Sequence, residues 1–541
     1  MSKAQLTAVA AIGLIGALAT SQARAQSAGA DAEIAALKQQ LRLMEQKLDA
    51  LQKQTAANTA AAAKANAKAD AKVAVTSANA AVPAKAAVAP SDAVVTMPNN
   101  RPTICTADNR NCIAITSRIH FDGGGYDYHP NTPATVPQRL DNGVNLRRAR
   151  IGVLGKFMED WNYALIYDFG GSSDGFASTG SFGASLGPPP IGGTSIGFLP
   201  GGALSGVENA FLSYTGIKPF GGTLAIEGGI MDLPITLDEA SSSNDIPFME
   251  RAAAGVVSRF ATDDFRAAVG ARWFNDVFWA GGYVTGPTTG AIHSASSANP
   301  NGSTEQLGAA ARVAGQVVSG KDYSLHLGAD AQFLIDPPHN LVTRAQTLTF
   351  SERGELRIDP TTLISTGAIA NVSGAQVYSV EAAATYGPLF FQGEYFWFNV
   401  DRNAATGLPP FGAPSLKFEG GYAEASFILT GETRKYNPAA ASYLGVVPEH
   451  PFSLAGGGWG AWEIAGRFST IDLNDQLATA TGIAGGRQTI YTAGLNWYVN
   501  RNVRFLFDYL HGNIAKQVSP TNIGDAGAKF DAFAMRTQVA F

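Results

Sequence analysis

The sequence predicts an all-β barrel that spans a membrane with about 16 antiparallel strands, and 18 strands is the alternative count. Segments of about ten residues, in which apolar and polar side chains alternate, recur from residue 115 to the last residue. An export signal precedes them, and no later apolar run is long enough for a spanning helix. Because a sheet in hydrocarbon must pair all its backbone groups, we expect these strands to close into a barrel.

The first hairpin of this barrel lies within residues 145–169. Ile151 and Val153 share one face of its first arm while Arg148 and Arg150 share the other, because side chains of a strand alternate between faces. The same alternation puts Arg147 on the apolar face, so the membrane interface is an alternative to the lumen for this side chain. The second arm alternates Tyr163, Leu165, Tyr167 and Phe169 with Ala164, Ile166 and Asp168.

Later segments repeat the pattern, and the 427 residues of 115–541 give about 16 strands at about 26 residues per strand and connection. The last strand ends with Phe533, Met535, Val539 and Phe541 on one face. Known outer-membrane barrels end in a similar way, and this resemblance implies recognition by the machinery that inserts barrels. The clearest segments are 222–231, 377–386, 389–399, 461–470, 490–500, 502–511 and 531–541.

The region before the barrel has three predicted parts. Residues 1–25 have the charged start, apolar core and small-residue cleavage site of a signal peptide, with a membrane anchor as the alternative. Residues 26–54 are predicted to form a periplasmic coiled coil, and a lone amphipathic helix is the alternative. Residues 55–114 are an Ala/Pro-rich linker, either a plain spacer or a contact with peptidoglycan or lipid headgroups. The coiled-coil seam consists of Ile34, Leu37, Leu41, Met44, Leu48 and Leu51.

Cys105 and Cys112 are the only cysteines and lie seven positions apart in a polar turn. An exported chain meets oxidising conditions, which favours a disulfide between them. A zinc site would need further ligands, and no histidine lies nearby. We therefore expect a local disulfide just before the first strand.

Three stretches resemble the phosphate-selective porin O/P family of Gram-negative outer membranes. They are RRARIGVLGKF with WNYALIYDF at 147–169, SSSNDIPFMERA at 241–252, and GYAEASFILTGETRKY at 421–436. The resemblance extends over about residues 115–541 and implies a 16-stranded barrel in which one long loop folds inward and arginines bind phosphate. The loop at the matching place, 232–251, mixes apolar and acidic residues, whereas 170–206 is rich in Gly, Ser and Pro and reads as a surface loop.

Charge on the inner wall decides the selectivity of such a pore, because arginine rings select anions and carboxylate rings select cations. Any single arginine has the alternatives of a salt-bridged wall residue or a headgroup contact. Residues 101–541 contain 29 Lys and Arg against 38 Asp and Glu, and few of the cations are lysine, which disfavours a tight phosphate site. Four acids of the constriction loop favour cations instead: Asp238, Glu239, Asp245 and Glu250. The pore-lining candidates are Arg147, Arg148, Arg150, Arg251, Arg259, Arg272, Arg467 and Arg504.

Enzyme chemistry has little support in this sequence. Residues 183–187 match G-x-S-x-G, but they lie in a low-complexity stretch followed by three prolines, where a nucleophile elbow cannot form. The seven histidines are scattered, and we predict no metal, no cofactor and no nucleic-acid partner. A phospholipase-type barrel hydrolase remains the enzymatic alternative.

The sequence therefore predicts an outer-membrane porin for passive diffusion of small hydrophilic solutes, with a possible preference for anions or phosphate. One alternative is a weakly selective or cation-preferring porin of the same fold. Another is an envelope tether, in which the barrel anchors a cell-wall-binding periplasmic helix. The expected partners are outer-membrane lipid, two further copies in a homotrimer, the barrel-insertion machinery, small solutes and, less strongly, peptidoglycan.

Overall fold

The computed structural model describes residues 93–132, 139–170, 206–262, 266–288, 306–337, 345–403 and 415–541. All of them belong to one compact unit, Pro90–Phe541. The predicted signal peptide, the coiled-coil seam and the G-x-S-x-G stretch lie outside the described residues. No helix in the described part of the chain is long and apolar enough to cross a membrane.

Sixteen antiparallel strands form a closed barrel within the described residues, which confirms the lower of the two predicted counts. Each strand pairs with the next along the chain, and the last pairs with the first from Ala528 opposite Pro130 to Ala540 opposite Arg118. Closure leaves no wall strand with an unpaired edge, as hydrocarbon requires. The strands are β1 Cys112–Pro130, β2 Gly143–Phe157, β3 Trp161–Asp168, β4 Gly206–Ile217, β5 Thr223–Met231, β6 Arg266–Phe274, β7 Phe278–Thr288, β8 Leu307–Ser319, β9 Tyr323–Asp336, β10 Val372–Tyr386, β11 Leu389–Arg402, β12 Leu416–Ile428, β13 Ala461–Asp475, β14 Ile483–Tyr498, β15 Val503–Ala515 and β16 Ala528–Ala540.

The two ends of the barrel differ in the length of their connections. At one end, which we call the turn end, β2 joins β3 through 158–160 and β14 joins β15 through 499–502. Phe541 and the start of β1 lie at the same end. The opposite end, the loop end, has the longer connections, including the 34 residues between β5 and β6.

The wall alternates as the sequence predicts. Leu165, Val313, Tyr491 and Phe533 point outward and are 54–60% exposed, whereas Phe396 on β11 points inward and is fully buried. An outward apolar band against an inward mixed face is the pattern of an outer-membrane barrel.

The sheet begins before the barrel, inside the segment expected to be linker. Strand Ala93–Thr96 pairs with Thr103–Thr106, and this second strand pairs with the start of β1. The single turn of 3-10 helix Pro98–Asn100 connects the two added strands. Cys105 lies opposite Cys112 and is bonded to it. We call residues 93–106 the entry hairpin; its β-branched residues suit a strand, which the Pro- and Ala-rich context obscured.

Three segments enter the lumen. The first, 232–262, follows β5 and contains α1 Leu237–Ala240, α2 Ala253–Ser258 and the 3-10 turn Arg259–Ala261. The second, 345–371, follows β9 and contains two short ladders, Thr347–Leu348 with Ile369–Ala370 and Ser351–Glu352 with Ile364–Ser365. The third, 429–460, follows β12 at the turn end and contains Tyr436–Asn437 paired with Ser442–Tyr443. We call them the first, second and third inward segments.

Outside the lumen, Gln517–Ser519 pairs with Asn522–Asp525 and Pro219–Gly221 is a 3-10 turn.

Part of the lumen is a packed apolar core. Phe396, Phe398 and Phe418 on β11 and β12 pack with Phe350 of the second inward segment, and Met249 of the first belongs to the same cluster. Two cavities lie elsewhere in the lumen, where arginines of β1, β2 and β6 line the wall.

Candidate functional site

Two contiguous cavities run through the lumen. The central cavity has a volume of about 260 Å³, and the turn-end cavity has a volume of about 440 Å³. They share Arg118, Arg150, Asp232 and Ser242 in their linings, so the two cavities adjoin each other, and the turn-end cavity reaches the terminal residue Phe541.

The central cavity is lined by five arginines and only two acidic side chains, Asp232 and Glu239. Three consecutive serines, Ser241–Ser243 of the first inward segment, complete the polar lining. Arginine guanidinium and serine hydroxyl groups both donate hydrogen bonds, so this lining matches the oxygen atoms of an anion. The five are Arg118, Arg148, Arg150, Arg251 and Arg272.

Strand register explains why the arginines cluster. Arg118 on β1 lies directly opposite Arg150 on β2, and Arg150 lies opposite Asp168 on β3. His120 lies opposite Arg148 two pairs further along, on the same face of the wall. Like charges placed opposite each other destabilise a sheet, so this row needs negative charge from another source.

Arg147 points inward, and the interface position expected from strict alternation is wrong for it. His120 pairs with Arg148 but Phe121 pairs with Leu146, so Arg147 is an extra residue in β2. Such a β-bulge places two consecutive residues on the same side of the pairing partner. As a result Arg147 and Arg148 are both buried, at 2% and 3% exposure.

Arg118 and Arg148 keep guanidinium donors that no nearby carboxylate occupies. The Nη atoms of Arg118 donate to the hydroxyl groups of Ser243 and Ser242 at 2.7 and 3.0 Å. The Nε and Nη1 atoms of Arg148 are buried and donate no hydrogen bond to the described residues. The Nη1 atom of Arg148 forms only a long ion pair with the carboxylate of Glu250, at 3.9 Å.

Most other predicted pore arginines hold the inward segments in place. Arg147 binds Glu250 through two hydrogen bonds of 2.8 and 3.1 Å, and Arg467 binds Glu355 at 2.6 Å. Arg504 donates to backbone carbonyl groups of residues 244, 246 and 247. Arg259 binds Glu239 at 2.9 Å and lines neither cavity. Three arginines do both: each lines the central cavity and also binds a carboxylate. They are Arg150, Arg251 and Arg272.

The acidic candidates divide in the same way. Asp238 and Glu239 bind Arg251 at 3.1 and 3.2 Å, and Glu250 binds Arg147, so these carboxylates are neutralised within the lumen. Asp245 instead lines the turn-end cavity. Burial raises the pKa of the Asp245 carboxyl, while Arg434 and Arg118 act in the opposite direction.

A buried acidic cluster on β9–β11 is the described group that comes closest to a metal site. Ligand atoms of Asp330, Glu381 and Glu394 lie within 4.8 Å of one another. Arg312 and His326 bind Glu381 at 2.8 and 2.9 Å, and Glu394 accepts the backbone N–H groups of residues 237 and 238. Glu381 and Glu394 therefore anchor the wall and α1, and Asp330 accepts a hydrogen bond from the Ser379 hydroxyl through one of its oxygens.

Sequence reasoning missed Arg118 and the three serines. Arg118 alternates with Ile115 and Ile119 on β1, and the outward isoleucines are a signal that would have predicted an inward arginine. The serines had no such signal, because only the fold brings the first inward segment against β1.

A comparison with known families now fixes the class of this barrel. The family described as phosphate-selective porin O and P matches residues 113–541. The protein belongs to this family. It is an outer-membrane porin, and its family and fold are those of a channel rather than an enzyme.

Curated relatives match only parts of the chain. An uncharacterized protein of Caulobacter vibrioides is 31% identical over 218 residues, which are 40% of this porin and 39% of that protein. Porin O of Pseudomonas aeruginosa is 31% identical over 171 residues, 30% of this porin and 35% of that one. The matches thus span well under half the length of these relatives.

Solved barrels resemble this porin in part. OmpT of Vibrio cholerae has a TM-score of 0.43 at 10% identity, covering 80% of this chain and 98% of that one. An anion-selective porin from Comamonas acidovorans has a TM-score of 0.39 at 14% identity, covering 79% of this chain and 99% of that one.

Proposed function

We propose that this porin conducts small inorganic oxyanions, with phosphate as the representative solute, and that the central cavity selects them. The observation that carries the proposal is the pair Arg118 and Arg148, whose side chains line the central cavity beside Ser241–Ser243. Five arginines against two acids give this narrow part of the path a positive field, although the barrel region as a whole is net negative.

The path supports transport rather than tight capture. A conducting site must attract an ion strongly enough for entry and weakly enough for exit. Arg150, Arg251 and Arg272 share their charge with carboxylates at 2.8–3.3 Å, whereas Arg118 and Arg148 have no carboxylate this close. The central cavity therefore provides one shallow site on a continuous path.

Ion selectivity tests the proposal. We expect the wild-type porin in a planar bilayer to show an anion-selective reversal potential across a KCl gradient, and added phosphate to reduce the chloride current. Arg148→Gln removes the arginine with the freest donors, so anion selectivity should fall about 3-fold to 10-fold and the phosphate effect should weaken. Arg139→Gln is a matched control, because Arg139 is exposed, binds Asp141 at 2.9 Å and lies outside both cavities.

A cation-selective wild-type potential that ignores phosphate would reject the proposal and favour the cation-preferring alternative. Three acids of the turn-end cavity, Glu208, Asp232 and Asp245, would then be its first candidates. Equal selectivity in wild type and Arg148→Gln would remove Arg148 from the selective site even if the pore prefers anions.

Orientation and assembly belong to the same proposal. Short connections face the periplasm in outer-membrane barrels, so the turn end and the chain upstream of it are assigned to the periplasm. The heptad pattern of 31–53 supports a homotrimer joined by a parallel coiled coil.

A further inference from the structure

The segment between the two added strands, residues 97–102, lies at the mouth of the turn end. It precedes the family-matched region, which starts at residue 113. The side-chain amide of Asn100 donates to Asn502 Oδ1 at 2.6 Å, and Asn502 donates to the carbonyl of Ala540 at 2.8 Å. The segment is thereby fixed to the β14–β15 turn and to the end of β16.

The backbone of Arg101 is fixed as well. Its N–H donates to the carbonyl of Pro98 at 3.0 Å, and its carbonyl accepts from the Thr103 hydroxyl at 3.1 Å. Strand pairing of Thr103 with Ala114 and the Cys105–Cys112 bond join the hairpin to β1. Two independent anchors therefore determine where the Arg101 side chain projects.

That side chain lines the turn-end cavity together with Arg118, Arg150 and Arg504. Its Nε atom is buried and donates no hydrogen bond to a described residue. Arg504, in contrast, is committed to carbonyl groups of the first inward segment, and Arg150 is bound to Asp168. Arg101 is thus a cation of this mouth whose charge is not neutralised by a described carboxylate.

We propose that Arg101 is a selectivity residue of the pore mouth, supplied by the entry hairpin, and that it attracts anions into the path from the turn end. The inference rests on the proposed anion conduction. It adds a functional charge that lies upstream of the family-matched barrel, so the entry hairpin is part of the pore and not only a connection to it.

The test uses the mature full-length porin inserted from one side of a planar bilayer, with chloride current recorded at both polarities. Arg101→Gln should reduce anion current entering from the turn end by about 1.5-fold to 3-fold in about 0.1 M KCl. The loss should shrink in about 1 M KCl, where the screening length is only about 3 Å. Arg101→Glu should produce a larger loss with the same polarity.

Arg110→Gln is the matched control, since Arg110 lies in the turn after the entry hairpin, is mostly exposed, and pairs loosely with Glu159 at 3.8 Å. Asn502→Ala releases one anchor of the segment and should reproduce part of the Arg101→Gln effect. Gel mobility with and without heating verifies that each variant contains a folded barrel.

Arg101→Gln and Arg101→Glu currents equal to wild type at low salt, with folded barrels, would overturn the inference. This result is separable from failure of the proposed function, which appears as a wild-type pore without anion selectivity and an inert Arg148→Gln. A symmetric loss at both polarities and both salt concentrations would also overturn it, because it indicates a structural change and not lost attraction at one mouth.

Discussion

Asp245 is a titratable residue in the wall of the proposed pore. It lies in the wall of the turn-end cavity, and burial raises the pKa of its carboxyl above the ordinary value. A raised carboxyl pKa means that protonation occurs at a higher pH than in the unfolded chain. The folded state therefore gains stability as pH falls through that pKa and loses it as pH rises.

We predict that anion selectivity increases as pH falls through the raised pKa of the Asp245 carboxyl. Protonation of Asp245 removes one negative charge from a wall that also carries Arg118 and Arg504. Asp245→Asn should give the higher selectivity at neutral pH and flatten the pH profile. Reversal potentials over a pH series measure this, with Asp276→Asn as the control because Asp276 is exposed in the 275–277 turn. An unchanged profile in Asp245→Asn would assign the pH response to another group.

The positions of single arginines show how far the sequence predicts the lining of the lumen. Alternation alone predicts inward positions for Arg148, Arg150 and Arg504, and the structure has them there. It fails at Arg147, because one extra residue in β2 reverses the period. It also cannot separate pairing from pore lining, since Glu250 and Glu355 lie 103 and 112 positions away from the arginines they bind.

At the scale of elements, the first inward segment is held by ion pairs more than by its short helices. Glu250 accepts hydrogen bonds from Arg147 on β2 and from Arg536 on β16. Arg467 on β13 adds a hydrogen bond of 2.8 Å to the carbonyl of Glu250. One position thus connects three strands of the wall.

We predict that Glu250→Gln destabilises the barrel by about 3–5 kcal/mol, because it removes a carboxylate charge from the buried guanidinium groups of Arg147 and Arg536. Denaturant titration in detergent micelles measures the change. Glu159→Gln, which affects only an exposed pair, should leave the midpoint nearly unchanged. Equal midpoints for both variants would mean that the inward segment docks without this contact.

The strands were predictable and the inward segments only partly so. Residues 490–500 and 502–511 show their two faces in the sequence, and β14 and β15 agree with it apart from the turn between them. The mixed composition of 232–251 indicated that this loop packs against something. The sequence did not predict that the third inward segment enters the lumen, because the other connections at the turn end are short.

At the scale of the whole molecule, the proposed route follows one side of a partly filled lumen. Inward aromatic residues of β11 and β12 build an apolar core with the second inward segment, while the arginines of the central cavity come from β1, β2, β6 and the first inward segment. Net charge sums the whole chain, whereas an ion responds to the few side chains around it.

Assembly is a prediction at this scale. The mature porin is expected to be a homotrimer, since three copies of the heptad segment would join on a common axis. Native mass measurement in detergent tests this on the full mature chain and on a variant lacking 26–54. If both proteins are trimers, the barrel wall and not the heptad segment holds the subunits together. If both are monomers, the proposed homotrimer is wrong.

Arg536 has a consequence for the order in which the protein forms. It lies on the last strand, binds Asp122 on the first at 2.7 Å, and also contacts Glu250 and the carbonyl of Met249. The same side chain therefore joins the first strand to the last and holds the first inward segment against the wall. A folding chain can form these contacts of the first inward segment only after its final strand has joined the barrel. The pore lining is therefore complete only when the wall is complete.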